Sequence, residues 1–210
     1  NFVEGFKYAF GFPPISAILL LLALVSIMGM PYTVLMPVFA RDILHGGPDT
    51  LGILMGSVGT GALVGAIYLA SRRTVVGLGK VITFAAITFG AGLILFSLSR
   101  HLWISIALLF FVGMGMMLQM AASNTVLQTI VDDDKRGRVM SLYAMAFFGT
   151  VPVGSLMAGS LGARIGTPAT VAIGGVCCVI AGILFWLKLP ALRKLVRPIY
   201  IKKGILPEVA

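Results

Sequence analysis

One charged loop between two uncharged runs constrains this chain more than any other feature. Residues 132–138 read Asp-Asp-Asp-Lys-Arg-Gly-Arg, while the flanking runs 102–131 and 139–163 contain no Asp, Glu, Lys, Arg or His. A transmembrane helix needs about 20 consecutive apolar residues, and each run is longer than that. The sequence therefore predicts two membrane-spanning helices joined by a loop that holds its charges at one membrane surface.

The same pattern extends over the whole chain. Only 11% of the residues are charged, whereas soluble domains carry about 25%. The uncharged runs do not show the short alternating segments of a transmembrane β-barrel, so we predict an all-α membrane protein. Its six uncharged runs are 8–40, 50–71, 81–99, 102–131, 139–163 and 165–187.

These runs set the predicted organisation. We expect a cytoplasmic interfacial lead-in over residues 1–14, a six-helix transmembrane bundle over 15–189 and a basic cytoplasmic tail over 190–210. The predicted helices cover about 15–40, 50–71, 80–99, 102–131, 138–163 and 168–188. The chain begins at Asn1 rather than Met, which indicates a piece of a longer protein.

The basic residues predict the orientation. Six crossings place 13 Lys and Arg residues on the side of the two termini and only Arg41, Arg100 and Arg164 on the other side. Cytoplasmic loops of membrane proteins carry the excess of Lys and Arg. Both termini are therefore expected in the cytoplasm.

Several functional classes have no support in the residues. The net charge of +9 is spread between apolar spans without interleaved aromatic residues, which argues against nucleic-acid binding. Cys177 and Cys178 are adjacent, so they provide neither zinc-ligand spacing nor a disulfide framework. We find no Ser-His-Asp set, and Gly77-Leu78-Gly79-Lys80 lacks the spacing of a phosphate-binding loop. We expect no metal, no cofactor and no enzymatic activity.

The glycines and prolines indicate an internal repeat. Two triplets of helices must run in opposite directions, and in each triplet the second helix is the glycine-rich one. This is the pattern of an inverted three-plus-three repeat, although glycine is also common in membrane helices in general. Helix-packing or hinge positions are predicted at Pro31, Pro37, Gly52, Gly56, Gly61, Gly65, Gly149, Pro152, Gly154 and Gly159.

Three segments resemble one known family. They are the Arg-Arg…Gly-Leu-Gly-Lys loop from Arg72 to Lys80, the Asp-Lys-Arg-Gly-Arg-Val-Met-Ser segment from Asp134 to Ser141, and the tail from Arg197 to Glu208. Together with the six spans they resemble the C-terminal half of a major facilitator superfamily transporter. The tail is similar to bacterial members of the enterobactin-exporter-like efflux branch. The first loop lacks the Asp that precedes the arginines in the fuller superfamily motif.

The resemblance implies a twelve-helix transporter of the bacterial inner membrane, of which these helices are the second six. Family members move small molecules by alternating access, which here implies secondary active efflux of an amphipathic small molecule. The partners implied are the lipid bilayer and the missing N-terminal six-helix half, or a second copy of this chain. Two alternatives are a non-transporting membrane scaffold or assembly module, and lysolipid flipping.

Candidate substrate contacts follow from the resemblance, because the first helix of each triplet lines the cavity. They are Tyr32, Thr33, Met36, Met116, Gln119, Met120, Ser123 and Asn124. The alternative is that the amides join helices and that the methionines only fill the core. The spans contain no ionisable Asp, Glu, His, Lys or Arg. A proton-driven mechanism would therefore place its titrating group in the missing half.

The charged loops are candidates for a cytoplasmic gate that opens as the halves move. The residues concerned are Arg72, Arg73, Asp132, Asp134, Arg136 and Arg138. Aspartates after a helix C-terminus are unfavourable against the helix dipole unless a cation pairs with them or Asp134 caps the next helix. Plain positive-inside topology is the alternative explanation of the basic residues.

Overall fold

A computed structural model describes the backbone of residues 2–207 and the side chains from Glu4 onwards. Residues 1 and 208–210, which include the outer ends of the predicted lead-in and tail and Glu208 of the tail motif, lie outside the described residues. The regular structure of residues 2–207 is entirely helical, and it includes two π-helical segments, Phe39–Ile43 and Met145–Gly149. Its α-helices are α1 (Phe2–Gly11), α2 (Pro13–Met28), α3 (Tyr32–Val38), α4 (Pro48–Ser71), α5 (Leu78–Leu98), α6 (Leu102–Ile130), α7 (Arg136–Ala144), α8 (Val151–Ile165) and α9 (Thr167–Lys202).

These helices form six segments that are long and apolar enough to cross a membrane, counted within residues 2–207. This confirms the prediction of a six-helix membrane bundle. From first to sixth, the spans are Pro13–Ile43, Pro48–Ser71, Leu78–Leu98, Leu102–Ile130, Arg136–Ile165 and Thr167–Lys202. The first span contains α2, α3 and a π segment, and the fifth contains α7, a π segment and α8.

The packing of the spans follows the predicted inverted repeat. The second span packs chiefly against the fourth, and the fifth packs against the first. The third and sixth spans pack against each other, and each also contacts the first span of the opposite triplet. Exchanging the two triplets therefore leaves this pattern of neighbours unchanged.

Glycines allow the closest helix contacts. A Cβ atom added at Gly61 of α4 would overlap the carbonyl of Phe110 in α6, and one at Gly113 of α6 would overlap the carbonyl of Val58. Between α5 and α9, a Cβ at Gly90 or at Gly175 would lie 2.6 Å from the carbonyl oxygen of the other. Small residues let helix backbones approach in this way, which is a main source of packing energy inside lipid.

Both ends of the described chain are more helical than predicted. The lead-in forms α1, which ends where Phe12 adopts an extended conformation (φ −116°, ψ 106°) before Pro13, as expected for a residue that precedes proline. The sixth helix was predicted to end near 188, but α9 continues to Lys202 through Pro190 and Pro198. Its extension stays helical because Leu189 and Leu192 remain buried at helical spacing.

Candidate functional site

The first span is interrupted next to its predicted cavity residues. Helix α2 ends at Met28, and α3 begins at Tyr32 after the turn that contains Pro31. The Tyr32 ring is buried and meets the Phe89 ring edge-on at a centroid distance of 6.2 Å. Met36 is fully buried, whereas Thr33 is half-buried and donates a hydrogen bond to the Met30 carbonyl at 2.9 Å. Of these three candidates, only Thr33 reaches the surface of the bundle.

On α6, two of the predicted polar residues point into the bundle. Gln119 and Ser123 are one helical turn apart and are 1% and 0% exposed. Among the described residues, Gln119 Nε2 and Ser123 Oγ have no hydrogen-bond partner. Nearby, a Cβ at Gly115 would lie 2.8 Å from the Ala85 carbonyl oxygen of α5. The amide and the hydroxyl therefore lie in the interior, on or near the face of α6 that packs against the third span.

The other three α6 candidates form a partly exposed face. Met116, Met120 and Asn124 are half-buried. Asn124 Oδ1 accepts a hydrogen bond from the side-chain amide of Gln128. The Tyr143 hydroxyl of α7 donates to the Met120 carbonyl at 2.9 Å. This face presents amide and thioether groups, which can bind an uncharged or amphipathic molecule by hydrogen bonds and flexible apolar contact.

Two residues of this face were not among the sequence candidates. Gln128 lies four residues after Asn124, so its position on the same side of a helix was a usable signal. Tyr143 had no comparable signal, because its contact with α6 depends on the way in which the fifth span crosses the fourth.

The charged loop is joined to the lead-in helix α1. The Arg138 guanidinium donates to the Glu4 carboxylate at 2.8 Å. The Tyr8 hydroxyl donates to Asp132 Oδ2 at 3.1 Å, and burial raises the pKa of Tyr8. Lys135 Nζ lies 4.6 Å from the centroid of the Tyr8 ring, a cation–π distance. We call Glu4, Tyr8, Asp132, Lys135 and Arg138 the lead-in cluster.

The remaining gate candidates divide into two groups. Arg136 pairs with Asp133 within the loop, and Lys135 rather than Asp134 is the N-cap residue of α7. Arg72 donates to the Val76 carbonyl at 3.0 Å and to the Tyr68 hydroxyl at 3.3 Å. Among the described side chains, neither Arg72 nor Arg73 forms a salt bridge with an aspartate of the 132–134 loop.

The predicted packing and hinge residues occupy different environments. Gly61, Gly65 and Gly154 pack closely against neighbouring helices, and a Cβ at Gly154 would overlap the Ile27 carbonyl. By contrast, a Cβ at Gly52, Gly56 or Gly159 would meet no described atom within 4 Å, and one at Gly149 would be 3.8 Å from Met145 Cβ. Pro31 lies in the break of the first span, and Pro37 and Pro152 each lie next to a π segment. Prolines and π segments are established causes of helix bending.

Within the part of the chain that the structure describes, no three His, Cys, Asp or Glu side chains lie together so that they could hold a metal ion.

Comparison with known proteins identifies one family. Residues 1–197 match the family of the major facilitator type described as transmembrane secretion effector. This match covers more than half of the chain. It includes all six spans apart from the last residues of α9.

Two curated relatives are transporters by name. The chain is 24% identical over 165 residues to the staphyloferrin A transporter of Staphylococcus aureus (strain NCTC 8325 / PS 47), a match that covers 78% of this chain and 41% of that protein. It is 23% identical over 144 residues to the uncharacterized MFS-type transporter YfmI of Bacillus subtilis (strain 168), covering 67% of this chain and 36% of that protein. The matches therefore span about two fifths of the length of these relatives.

A solved structure supports the fold. The crystal structure of the peptide transporter POT in complex with alafosfalin superposes with a TM-score of 0.60 at 16% sequence identity. The superposition covers 85% of this chain and 38% of that one.

Proposed function

We propose that this chain, which belongs to the transmembrane secretion effector family of the major facilitator superfamily, forms the C-terminal half of a membrane transporter. The observation that carries the proposal is the open side of the bundle. Helix α4 packs chiefly against α6, and on its opposite face a Cβ added at Gly52 or Gly56 would meet no described atom within 4 Å. A second six-helix half would cover this face. The limited coverage of the longer relatives agrees with that arrangement.

The proposed substrate is an amphipathic small molecule, and the proposed direction is efflux. Met116, Met120, Asn124 and Gln128 form a half-exposed to exposed face of thioethers and amides without a formal charge. One relative is named as the staphyloferrin A transporter, so staphyloferrin A belongs in the substrate panel together with iron chelators and amphipathic drugs. Gln119, Ser123, Tyr32 and Met36 are buried. We propose that they support this face from behind or reach it in another state of the transport cycle.

The proposed cellular location is the inner membrane of a bacterium, with both termini in the cytoplasm. Support comes from the excess of Lys and Arg on the side of the termini. The lead-in cluster would then lie at the cytoplasmic surface and act as a gate that is broken and remade as the two halves rock. The orientation can be tested with a cysteine introduced at Lys203. Labelling of this cysteine by a membrane-impermeant thiol reagent reports the side of the membrane on which the tail lies.

Transport by the intact gene product tests the proposal. In inside-out vesicles, efflux appears as accumulation, so we expect energised accumulation of at least one amphipathic dye or iron chelator above vesicles without the protein. An uncoupler should abolish it. Asn124→Leu should reduce the accumulation, whereas Ile104→Leu, on the exposed part of the same helix near its other end, should not.

The alternatives give different results in the same vesicles. A lysolipid flippase would move a fluorescent lysolipid but none of the dyes or chelators. A scaffold or assembly module would move none of these compounds at normal expression, and that result would overturn the proposal.

A further inference from the structure

One cavity of the described chain lies away from the α6 face discussed above. Its volume is about 380 Å³, which is within the range of small-molecule sites and far above the space taken by one water molecule. It lies between the start of α2, the loop and first turn of α5, and the extension of α9 beyond Leu189. It is therefore on the side of the membrane that carries the chain termini.

The cavity lies at the end of the bundle where α5 begins and α9 continues past it. Gly79 lets the start of α5 approach α9 closely, since a Cβ there would lie 2.6 Å from Leu189 Cδ1. Beyond that contact α9 continues, and the chain then turns back at Gly204 (φ 68°). The backbone amides of Ile205 and Leu206 donate to the Tyr200 carbonyl at 2.8 and 3.3 Å, which places Leu206 in the cavity wall.

The lining combines an apolar wall with cations. Ile18, Ile82, Phe185 and Leu192 are among the mostly aliphatic wall residues. Lys80, Arg193 and Arg197 also line the cavity, and the lining contains no described Asp or Glu. None of these three cations forms a salt bridge with another described residue. The N-terminus of α5, a helix of 21 residues, opens at the same place and adds a positive end of a helix dipole.

We propose that this cavity binds an anionic glycerophospholipid of the adjacent leaflet. Lys80, Arg193 and Arg197 would hold its phosphate, and part of an acyl chain would occupy the apolar wall. Each half of the lining alone fits a simpler ligand, but the combination fits a molecule with an anionic head and an aliphatic chain. Basic pockets between helices on the cytoplasmic side of membrane proteins commonly bind such headgroups.

This inference does not depend on the proposed transport function. Lipid binding at this cavity can be measured whether or not the protein moves a substrate. Loss of transport therefore says nothing about the lipid site, and loss of the lipid site says nothing about the substrate.

Native mass spectrometry of the intact gene product tests the inference. The protein is delipidated in a non-ionic detergent and titrated with dioleoyl phosphatidylglycerol or with dioleoyl phosphatidylcholine. Replacing Lys80, Arg193 and Arg197 by Gln should weaken binding of the anionic lipid by about fivefold for each cation removed. The matched control replaces Lys188, Lys194 and Lys202 by Gln, which removes the same charge from exposed positions of α9 outside the cavity.

A second pair of variants tests the apolar wall. Val196→Phe fills the cavity without changing a charge, and Leu195→Phe adds the same ring at a neighbouring position that is 44% exposed and outside the lining. We expect the first to lose the anionic lipid and the second to keep it, with thermal unfolding in detergent confirming that both variants are folded.

Four results would overturn the inference. They are equal binding of phosphatidylcholine, equal loss in the α9 control variant, unchanged binding after replacement of the three lining cations, and displacement of the lipid by millimolar glycerol phosphate or inorganic phosphate. The last result would indicate a site for a free phosphate rather than for a lipid.

Discussion

Arg138 at the start of the fifth span donates to the Glu4 carboxylate at 2.8 Å, across 134 positions of the chain. A Cβ added at Gly5 would lie 3.0 Å from Arg138 Cβ, so the backbone of α1 lies directly against this arginine. The contact fixes the lead-in helix on the end of the fifth span. Any movement of the fifth span relative to the chain that precedes residue 13 must therefore break it or carry α1 along.

We predict that Arg138→Gln lowers transport but leaves the fold intact. The two side chains of the pair are 38% and 63% exposed, and exposed pairs contribute about 1 kcal/mol or less to stability. Transport in inside-out vesicles, divided by the amount of protein, measures the effect. Arg41→Gln is the control, because it breaks an exposed pair with Asp42 on the opposite side. Normal transport by Arg138→Gln at normal expression would remove the gate hypothesis.

Gly61→Ala is expected to destabilise the bundle. Its Cβ would overlap the carbonyl of Phe110, which is backbone and cannot turn away, and overpacking costs about 1–3 kcal/mol. Gly159→Ala in α8 meets no described atom within 4 Å and lies outside the α4 face that a second half is proposed to cover, so the higher helix propensity of alanine should leave stability unchanged or slightly higher. Thermal unfolding in detergent compares the two variants. Equal unfolding temperatures would show that α4 and α6 are not packed as described.

Gln119→Met should keep or raise the stability of the protein. Gln119 is 1% exposed, and its Nε2 has no partner among the described residues. Replacing an unsatisfied buried amide by an apolar side chain of similar size removes a desolvation penalty. The free energy of unfolding in detergent measures this change. Destabilisation by more than about 1 kcal/mol would mean that the amide has a partner in the folded protein, such as a water molecule or a residue of the proposed second half.

Ser57→Ala, in contrast to Gln119→Met, is expected to lower the stability of the protein. Ser57 is 7% exposed, and its hydroxyl donates to the Ile106 carbonyl at 2.5 Å, joining α4 to α6. Its removal should cost about 1 kcal/mol, the typical net contribution of such a hydrogen bond. The measurement is the same unfolding experiment, and an unchanged free energy would contradict a contribution of this bond to the interface.

The spans could be predicted from sequence because charged residues interrupt every apolar run. The faces of α6 could not, because apolar residues surround this helix and leave no polar side to mark its outside. Gln119 and Asn124 are both amides on α6, yet one is buried and the other half-buried. Only the positions of the third and fifth spans decide which of them faces inwards. The extension of α9 was not predicted because Pro190, Pro198 and the cations after residue 187 indicated the end of the apolar helix. The helical spacing of Leu189 and Leu192 was too short a pattern to outweigh them.

The pairing of α4 with α6 has a consequence for biosynthesis. Helix α4 leaves the ribosome well before its principal packing partner, since α5 is made between them. Gly61 and Gly65 form a groove on α4 that α6 covers in the folded chain, so this groove has no α6 neighbour until the fourth span is made. A ribosome that stalls after α5 would leave this groove exposed to lipid, so the nascent chain would offer a quality-control protease an unpaired helix that the finished protein does not present.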